Sequence, residues 1–479
     1  MTATSRPLAD APSMLGGTIE LPAYPCLHET PRRVSPWTGD AATAGTVAVG
    51  TVAVVGAGKM GLPLCGQFAG HGWRVIAVDI AQSVVDAINA GRSHVEGEPG
   101  LDELVARAHA DGLLSATLDA AAAAREADVV VLIVPVMLDD EQQPDYRYMD
   151  AAVGAIIGGL HAGSLVVFET TLPVGDTRGR FAPRIEEATG LRSEEDVFVA
   201  FSPERLYSGH ALANLAQYPK LVGGLGEESR RRAAAFYGSV LDAPVVAMSS
   251  AEAAEFSKLA DTTYRDVNIA LANEYARYAD RVGVDVQEVI AAANSQPYSH
   301  IHQPGIGVGG HCIPVYPHFL LSRAPEMELV ALSRRVNDGQ IGIAIKALQK
   351  ELGSLDGIDV LVLGLTYRDG VKELAYSRAL PLIERLAFHG ATVWAYDPLL
   401  SPEEIERCAA RPWAWGEPIP AVAVVTQTAD PVFRTLDWAW LPDVRVVYDG
   451  RNSLRTIELP ESVAYHGAGV PAALRAGAR

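Results

Sequence analysis

The chain has 479 residues, 49% of them apolar, and a formal net charge of −19. That length suggests more than one core, and the composition can fill several. The acidic balance argues against nucleic acid or an anionic membrane as the main partner, because both favour a basic face; an anionic small molecule stays open, since a few local donors can hold one phosphate group.

Residues 1–45 are rich in Pro, Ala, Thr and Gly and lack periodicity, so they read as a loose tail. They also lack the basic start and apolar stretch of a signal peptide. The four cysteines, Cys26, Cys65, Cys312 and Cys408, lie far apart with no metal-ligand spacing. No disulfide framework or metal site is therefore expected, and a reduced, cytoplasmic setting fits. No uninterrupted apolar run of about twenty residues suggests a membrane span.

Order is expected from Thr46, where TVAVGTVAVVGAGKMGLPLCGQFAGHGWRVIAVDI reads strand, tight turn, helix, strand. Further buried strands are expected in DVVVLIVPV (128–136), SLVVFETT (164–171) and VFVAFSPE (197–204), with alanine-rich helices between them. Short apolar strands alternating with helices imply a parallel sheet covered on both faces. After Ser250 the texture changes to more than thirty residues of helical composition without Gly or Pro. A helix that long spans between domains or packs against a partner chain. It is followed by the Gly- and Pro-rich loop HQPGIGVGGHCIPVYP. From about Gly357, IDVLVLGLTYR, ATVWAYDP, AVAVVTQTAD and VRVVYDGRN read as strands of a second α/β unit, with ALPLIERLAFHG a connecting helix. The expected architecture is α/β, two Rossmann-like domains joined by a long central helix. Its parts are a tail at 1–45, a dinucleotide-binding domain at 46–249, a helical centre at 250–345 and a second α/β domain at 346–479.

Three sites carry chemistry. Gly56, Ala57, Gly58, Lys59, Met60 and Gly61 form G-x-G-x-x-G directly after a strand. Its first glycine permits the turn, the second admits a pyrophosphate, and the third lets helix and strand pack closely. Asp79 ends the next strand, placed to bind ribose hydroxyls; it would repel a 2′-phosphate and no Arg follows it, so NAD is favoured over NADP. A nucleotide-free glycine turn is the plain alternative. Cys312 sits among loop-forming residues, Gly309, Gly310, His311, Ile313 and Pro314, where a thiol can approach a carbonyl carbon. A buried structural role, the common fate of a free cysteine, suits Cys65, Cys408 and Cys26 better. Lys258, Thr262 and Arg265 share one helix face, which is either a solvated row or, with Lys258 turned inward, a cation at a reacting oxygen. Thr171 and Glu204 each follow a strand of the first sheet, where open parallel sheets place ligands.

Taken together, GAGKMGLPL, ETTLPVGDT, SPERLYSG, YPKLVGG, AEFSKLADTTYRDVNIALANE, PGIGVGGHCIPVYP and DGRN resemble the UDP-glucose/GDP-mannose dehydrogenase family over roughly residues 50–460. The Gly-Gly-His-Cys-Ile-Pro form looks closest to the branch acting on UDP-N-acetylhexosamines. The resemblance implies oxidation of a C6 alcohol to a carboxylate with two NAD used in turn, through a thiohemiacetal and thioester on Cys312. It implies Lys258 at the oxyanion, and Thr171, Glu204 and Thr262 in proton and water handling. For NAD it implies Gly56, Gly58, Lys59, Met60, Gly61, Asp79, Pro135 and Thr171. For the nucleotide sugar it implies Glu204, Arg205, Leu206, Lys258, Arg265, Tyr298, Gly305, Gly309, Gly310, Tyr316 and Arg368. The second α/β domain would hold uridine, and the long helix would form a homodimer interface.

Three positions depart from the family. Thr262 stands where Asn is usual, Tyr316 where Asp is usual, and Ala375 where an Arg is expected, with Arg368, Lys372 or Arg378 as possible substitutes. Two rival readings compete with this one. A two-electron β-hydroxyacid or 6-phosphogluconate-type dehydrogenase needs neither the cysteine nor the second α/β unit. A silent NAD-binding scaffold draws support only from the departures at Thr262 and Tyr316.

Overall fold

The computed structural model describes residues 49–207, 209–471 and 474. The expectations for the N-terminal tail, for Cys26 and for the first residues after Thr46 lie outside them.

Two α/β layers organise the chain. The first sheet begins with β1 (Thr51–Val55), β2 (Arg74–Val78), β3 (Leu114–Thr117) and β4 (Val129–Leu132). A two-stranded ribbon follows, β5 (Met137–Leu138) and β6 (Pro144–Asp145). The chain then returns to the sheet with β7 (Leu165–Phe168), β8 (Phe198–Phe201), β9 (Lys220–Gly224) and β10 (Val245–Ala247). The strand order is β10-β9-β8-β7-β4-β1-β2-β3. Every pairing is parallel except β8 with β9. Along β1, Val52 and Val54 join one core with Phe68 and Trp73, while Ala53 and Val55 join another with Met149 and Ile156. Both faces are covered, so alternate residues are equally apolar and the strands read as continuous hydrophobic runs.

The strands are shorter than those runs. Three end at Leu132, Phe168 and Phe201 rather than continuing to Val136, Thr171 and Glu204. Beyond each end the chain turns to side-chain partners: Thr170 donates to the Val134 carbonyl at 2.6 Å and Ser202 to that of Leu221 at 2.7 Å. The residues that leave the sheet are those available for chemistry.

The helix Ala251–Val282 runs for 32 residues, about 48 Å at the usual rise. The Ser250 side chain caps its start by accepting from the Ala253 N–H, and Gly283 ends it in the left-handed conformation. It packs against the helix Glu328–Asp338 through a buried polar seam, in which Arg334 meets Asp266 at 2.5 Å and Asn337 meets Asn273 at 2.9 Å.

The second sheet comprises β11 (Asp359–Leu363), β12 (Thr392–Tyr396), β13 (Arg411–Pro412), β14 (Ala423–Thr426), β15 (Val446–Asp449) and β16 (Ala464–Gly467). Its order is β13-β12-β11-β14-β15-β16, all parallel. Each sheet reverses its strand order beside its first strand, the place where open α/β sheets form a crevice. No described helix is long and apolar enough to cross a membrane.

Candidate active site

The glycine turn leaves β1 at Gly56, whose φ of 100° only glycine adopts without strain. A Cβ on Gly61 would stand 1.8 Å from the Gly56 carbonyl oxygen, whereas one on Gly58 would meet nothing within 4 Å. The turn is thus tight where chain meets chain and open where a pyrophosphate would lie, and the helix Gly61–Gly70 starts directly behind it. Asp79 Oδ2 accepts from the Ala57 N–H at 3.1 Å and Oδ1 from the Ala81 N–H at 3.0 Å. Each oxygen keeps a lone pair for a ribose hydroxyl, and the carboxylate is only half-buried. Met60 is half-buried and Pro135 exposed beyond the end of β4. These features fit a bound dinucleotide.

Lys59 is engaged by the far half of the chain: its ammonium pairs with Glu373 at 2.6 Å. Glu373 also faces His311, next to Cys312, at 3.7 Å. The neighbouring His311 ring and, after it, the hydrogen bond from Lys59 hold Glu373 well below the usual carboxylate range. One carboxylate on the loop after β11 therefore touches both the glycine turn and the cysteine loop.

Cys312 is half-buried in a turn, its carbonyl accepting from the N–H groups of Val315 and Tyr316 at 3.2 and 2.9 Å. That turn aims Tyr316 back at the thiol. The half-buried phenol is in contact with the Cys312 side chain and the Thr171 hydroxyl, and burial pushes its ionisation well above the ordinary value. Lys258, 8% exposed, lies with its ammonium 5.9 Å from the Tyr316 ring centroid. Of the two open readings of the lysine row, the structure shows Lys258 turned inward. Thr262 is also buried, but its hydroxyl donates to the Lys258 carbonyl at 3.1 Å and keeps only acceptor capacity toward the site. Thr171, Lys258 and the turn that carries both Cys312 and Tyr316, three separate segments, thus converge.

Glu204 belongs to an adjacent buried group. Lys220, at the start of β9, lies 2.8 Å from Glu204 and 2.9 Å from Glu169. Neither Lys220 nor Glu169 was expected at the site. The available signal was a charge inside the otherwise apolar runs YPKLVGG and SLVVFETT.

The loop before Cys312 is seated on both halves of the molecule. Asn273 of the long helix accepts from the Gly305 N–H at 2.9 Å. A Cβ on Gly305 would stand 2.6 Å from the Arg451 guanidinium, and Gly309 and Gly310 lie against Tyr376 and Tyr367. Arg451, in the DGRN motif but absent from the expected site residues, is half-buried there and donates to the Gln427 carbonyl at 2.9 Å. Arg378 packs on Gly307, Arg368 lies over the Tyr367 ring at 5.8 Å, and Lys372 pairs with Glu404 at 3.0 Å. Ala375 contributes its N–H to Glu373 at 3.1 Å. Arg265 stacks on Tyr207 at 5.7 Å. Three expected residues are not drawn into this convergence. Arg205 donates to the Pro219 carbonyl, Leu206 packs on the first core, and Tyr298 is 92% exposed. Cys65 is buried, its thiol pushed up by burial, and Cys408 is half-buried beside the second core.

The sequence matches the UDP-glucose/GDP-mannose dehydrogenase family in three segments. They are its NAD binding domain at residues 50–241, its central domain at 252–339 and its UDP binding domain at 361–456. The chain is 33% identical over 428 residues to the UDP-N-acetyl-D-mannosamine dehydrogenase of Pyrococcus horikoshii, covering 87% of this chain and 99% of that one. It is 36% identical over 343 residues to the NDP-N-acetyl-D-galactosaminuronic acid dehydrogenase of Ralstonia nicotianae, covering 70% and 80% respectively. Among solved structures, UDP-D-ManNAc dehydrogenase from Pyrococcus horikoshii superposes with a TM-score of 0.78 at 32% identity, over 88% of this chain and 99% of that one. A UDP-glucose dehydrogenase from Pyrobaculum islandicum superposes with a TM-score of 0.77 at 27% identity, over 90% and 100%.

Proposed function

The chain belongs to the UDP-glucose/GDP-mannose dehydrogenase family and is an NAD-dependent oxidoreductase; on that premise we propose that it oxidises the C6 alcohol of a UDP-N-acetylhexosamine to the carboxylate through a thioester on Cys312. The observation that carries this reading is the convergence of the Cys312 thiol, the Tyr316 phenol and the Thr171 hydroxyl beside buried Lys258. A two-electron alcohol dehydrogenase has no use for a thiol there. The curated relatives, named for N-acetylmannosamine and N-acetylgalactosaminuronic acid, favour an acetamido sugar, and the UDP binding domain match at 361–456 favours uridine. The reading assigns cofactor binding to residues 46–249, the cysteine loop to 250–345 and the nucleotide to 346–479.

Gly56, Gly58 and Gly61 would hold the NAD pyrophosphate and Asp79 the ribose, with Lys59, Met60, Pro135 and Thr171 along its path. NAD supplies the hydride acceptor for both oxidations. The first oxidation takes the alcohol to the aldehyde, with Lys258 placed to stabilise the oxygen as its proton leaves. An aldehyde has no leaving group, so Cys312 Sγ adds to the carbonyl carbon and creates the alkoxide that can expel the second hydride. The resulting thioester takes up water; the S–C bond breaks, the thiol regains a proton, and the carboxylate departs. Tyr316 fills the position where the family usually carries Asp. Burial keeps it protonated, so it donates a hydrogen bond and cannot serve as the base. Proton acceptance from water then falls to Glu204. A thiol that must stay reduced favours a cytoplasmic setting. Phe256, Tyr264, Leu271, Tyr275, Tyr278 and Val282 form an exposed stripe along the long helix, and we assign it to a homodimer. Light scattering at twice the chain mass supports that assignment, and a monomer mass rejects it.

The test is NADH formed per sugar consumed across UDP-N-acetylmannosamine, UDP-N-acetylglucosamine, UDP-N-acetylgalactosamine, UDP-glucose and GDP-mannose. Two NADH per UDP-N-acetylhexosamine, abolished in Cys312→Ala, is the expected result. One per sugar, indifferent to Cys312, returns the chain to the two-electron dehydrogenases. Silence across the panel with NAD still bound favours the scaffold reading.

A further inference from the structure

Behind Glu204 lies a cluster that the reaction as written does not use. Glu169, after β7, is fully buried, Lys220 is 5% exposed, and the Glu204 side chain is 12% exposed. Lys220 Nζ donates to Glu169 Oε2 at 2.9 Å and to Glu204 Oε2 at 2.8 Å. Tyr237, from the helix Glu227–Val240, donates to Glu169 Oε1 at 2.5 Å, and its ring centroid lies 4.8 Å from the lysine nitrogen. The Arg205 N–H donates to Glu204 Oε1 at 2.7 Å. Ser202 completes the surroundings through Tyr237.

We infer that Lys220 and Glu169 are positioning residues for Glu204, with Lys220 clamping its carboxylate and keeping it ionised as a base while protonated Glu169 holds Lys220 from behind. The inference rests on the reading of Glu204 as the base. The physical ground is a count of charges in a nearly dry space. Two carboxylates within reach of one ammonium would carry an uncompensated negative charge if both ionised, and burial penalises that state. One proton therefore stays in the cluster. Burial pushes the innermost carboxyl, Glu169, up to about 8, against the pull of Lys220. Burial also works against Glu204, but the Lys220 charge and the hydrogen bonds from Glu169, Lys220 and the Arg205 N–H hold it below the ordinary carboxylate range. The two acids divide the work: the inner one keeps the proton and the outer one, at the edge of the site, is free to accept one. A lysine that only neutralised Glu169 for stability would have no reason to bridge to the more exposed acid.

The test is the pH profile of kcat for NADH production, with KM for the nucleotide sugar and the melting temperature, in Lys220→Met, Lys220→Arg, Glu169→Gln and Glu204→Gln. In Lys220→Met, kcat should fall at least about tenfold at neutral pH and its acid limb should move up by about one unit or more, equivalent to about 1.4 kcal/mol. KM should change little. Lys220→Arg should restore most of the rate, and Glu169→Gln, which imitates the protonated acid, should leave the limb in place. If Lys220→Met fails to fold, Lys220→Met/Glu169→Gln leaves no second carboxylate unpaired and should show the same upward limb. A lowered melting temperature with an unmoved acid limb in the folded variant overturns the inference. Full activity in Glu204→Gln would instead overturn the reading of Glu204 on which it rests.

Discussion

The two sheets follow the same local plan, strand, glycine turn, then an acid at the end of the second strand, and use it to opposite ends. In the first sheet Asp79 braces the turn with two hydrogen bonds and stays half-exposed. In the second, Asp397 is 2% exposed, and its Oδ2 accepts from the N–H groups of Leu365 and Thr366 at 2.8 and 3.0 Å and from the Thr366 hydroxyl at 3.1 Å. A Cβ on Gly364 would lie 2.1 Å from Thr428 Oγ1, so that turn is plugged by its own neighbour, while the space over Gly58 is open. An acid at the end of the second strand marks a dinucleotide ribose site only where the turn beside it is unfilled and the acid has acceptor capacity to spare. Where both are consumed, the same residue type is structural.

Removing each acid in turn should break this comparison most clearly. Asp397→Ala strands the buried N–H groups of Leu365 and Thr366, while the Thr366 hydroxyl keeps the Arg368 carbonyl as an acceptor; it should cost about 2 kcal/mol in urea unfolding, at about 1 kcal/mol or more per unsatisfied group, with NAD affinity unchanged in the folded fraction. Asp79→Ala should lose less stability but weaken NAD about tenfold to a hundredfold in a calorimetric titration, or about 1.4–2.8 kcal/mol. Equal effects of the two variants on NAD affinity would erase the distinction. Gly58→Ala gives the sharper and smaller test. Its methyl enters open space, so stability should shift by no more than about 0.5 kcal/mol, while NAD binding should weaken by about tenfold because the methyl stands where the pyrophosphate approaches. Unaltered NAD affinity in that variant would mean that the pyrophosphate does not lie over Gly58.

The sheets, the long helix and the glycine turn were legible because each rests on a local pattern. Strands covered on both faces read as apolar runs, Gly-free and Pro-free stretches read as helix, and the turn needs glycine at fixed offsets. The strand ends were misjudged because an apolar residue such as Val134 extends the run after the chain has left the sheet. Cys312 stood out because its neighbours are loop-formers. The supports of the site did not stand out. Lys220 and Glu169 read as ordinary charges, since a sequence shows charge but not its burial. Glu373 reaches Lys59 across 314 positions of chain, a contact no window can contain. Thr262 offers a hydroxyl where the family usually has Asn, but its proton is spent on the helix backbone, a choice between partners that only geometry decides.

The most direct test of the account is the mass of the enzyme caught during turnover. Enzyme mixed with NAD and its UDP-N-acetylhexosamine, acid-quenched within one turnover and digested, should carry the sugar nucleotide as an acyl adduct on the Cys312 peptide. Hydroxylamine should remove that adduct, and Cys312→Ala should lack it. An enzyme that completes the oxidation to the carboxylate with no adduct at Cys312 at any quench time would contradict the thioester route.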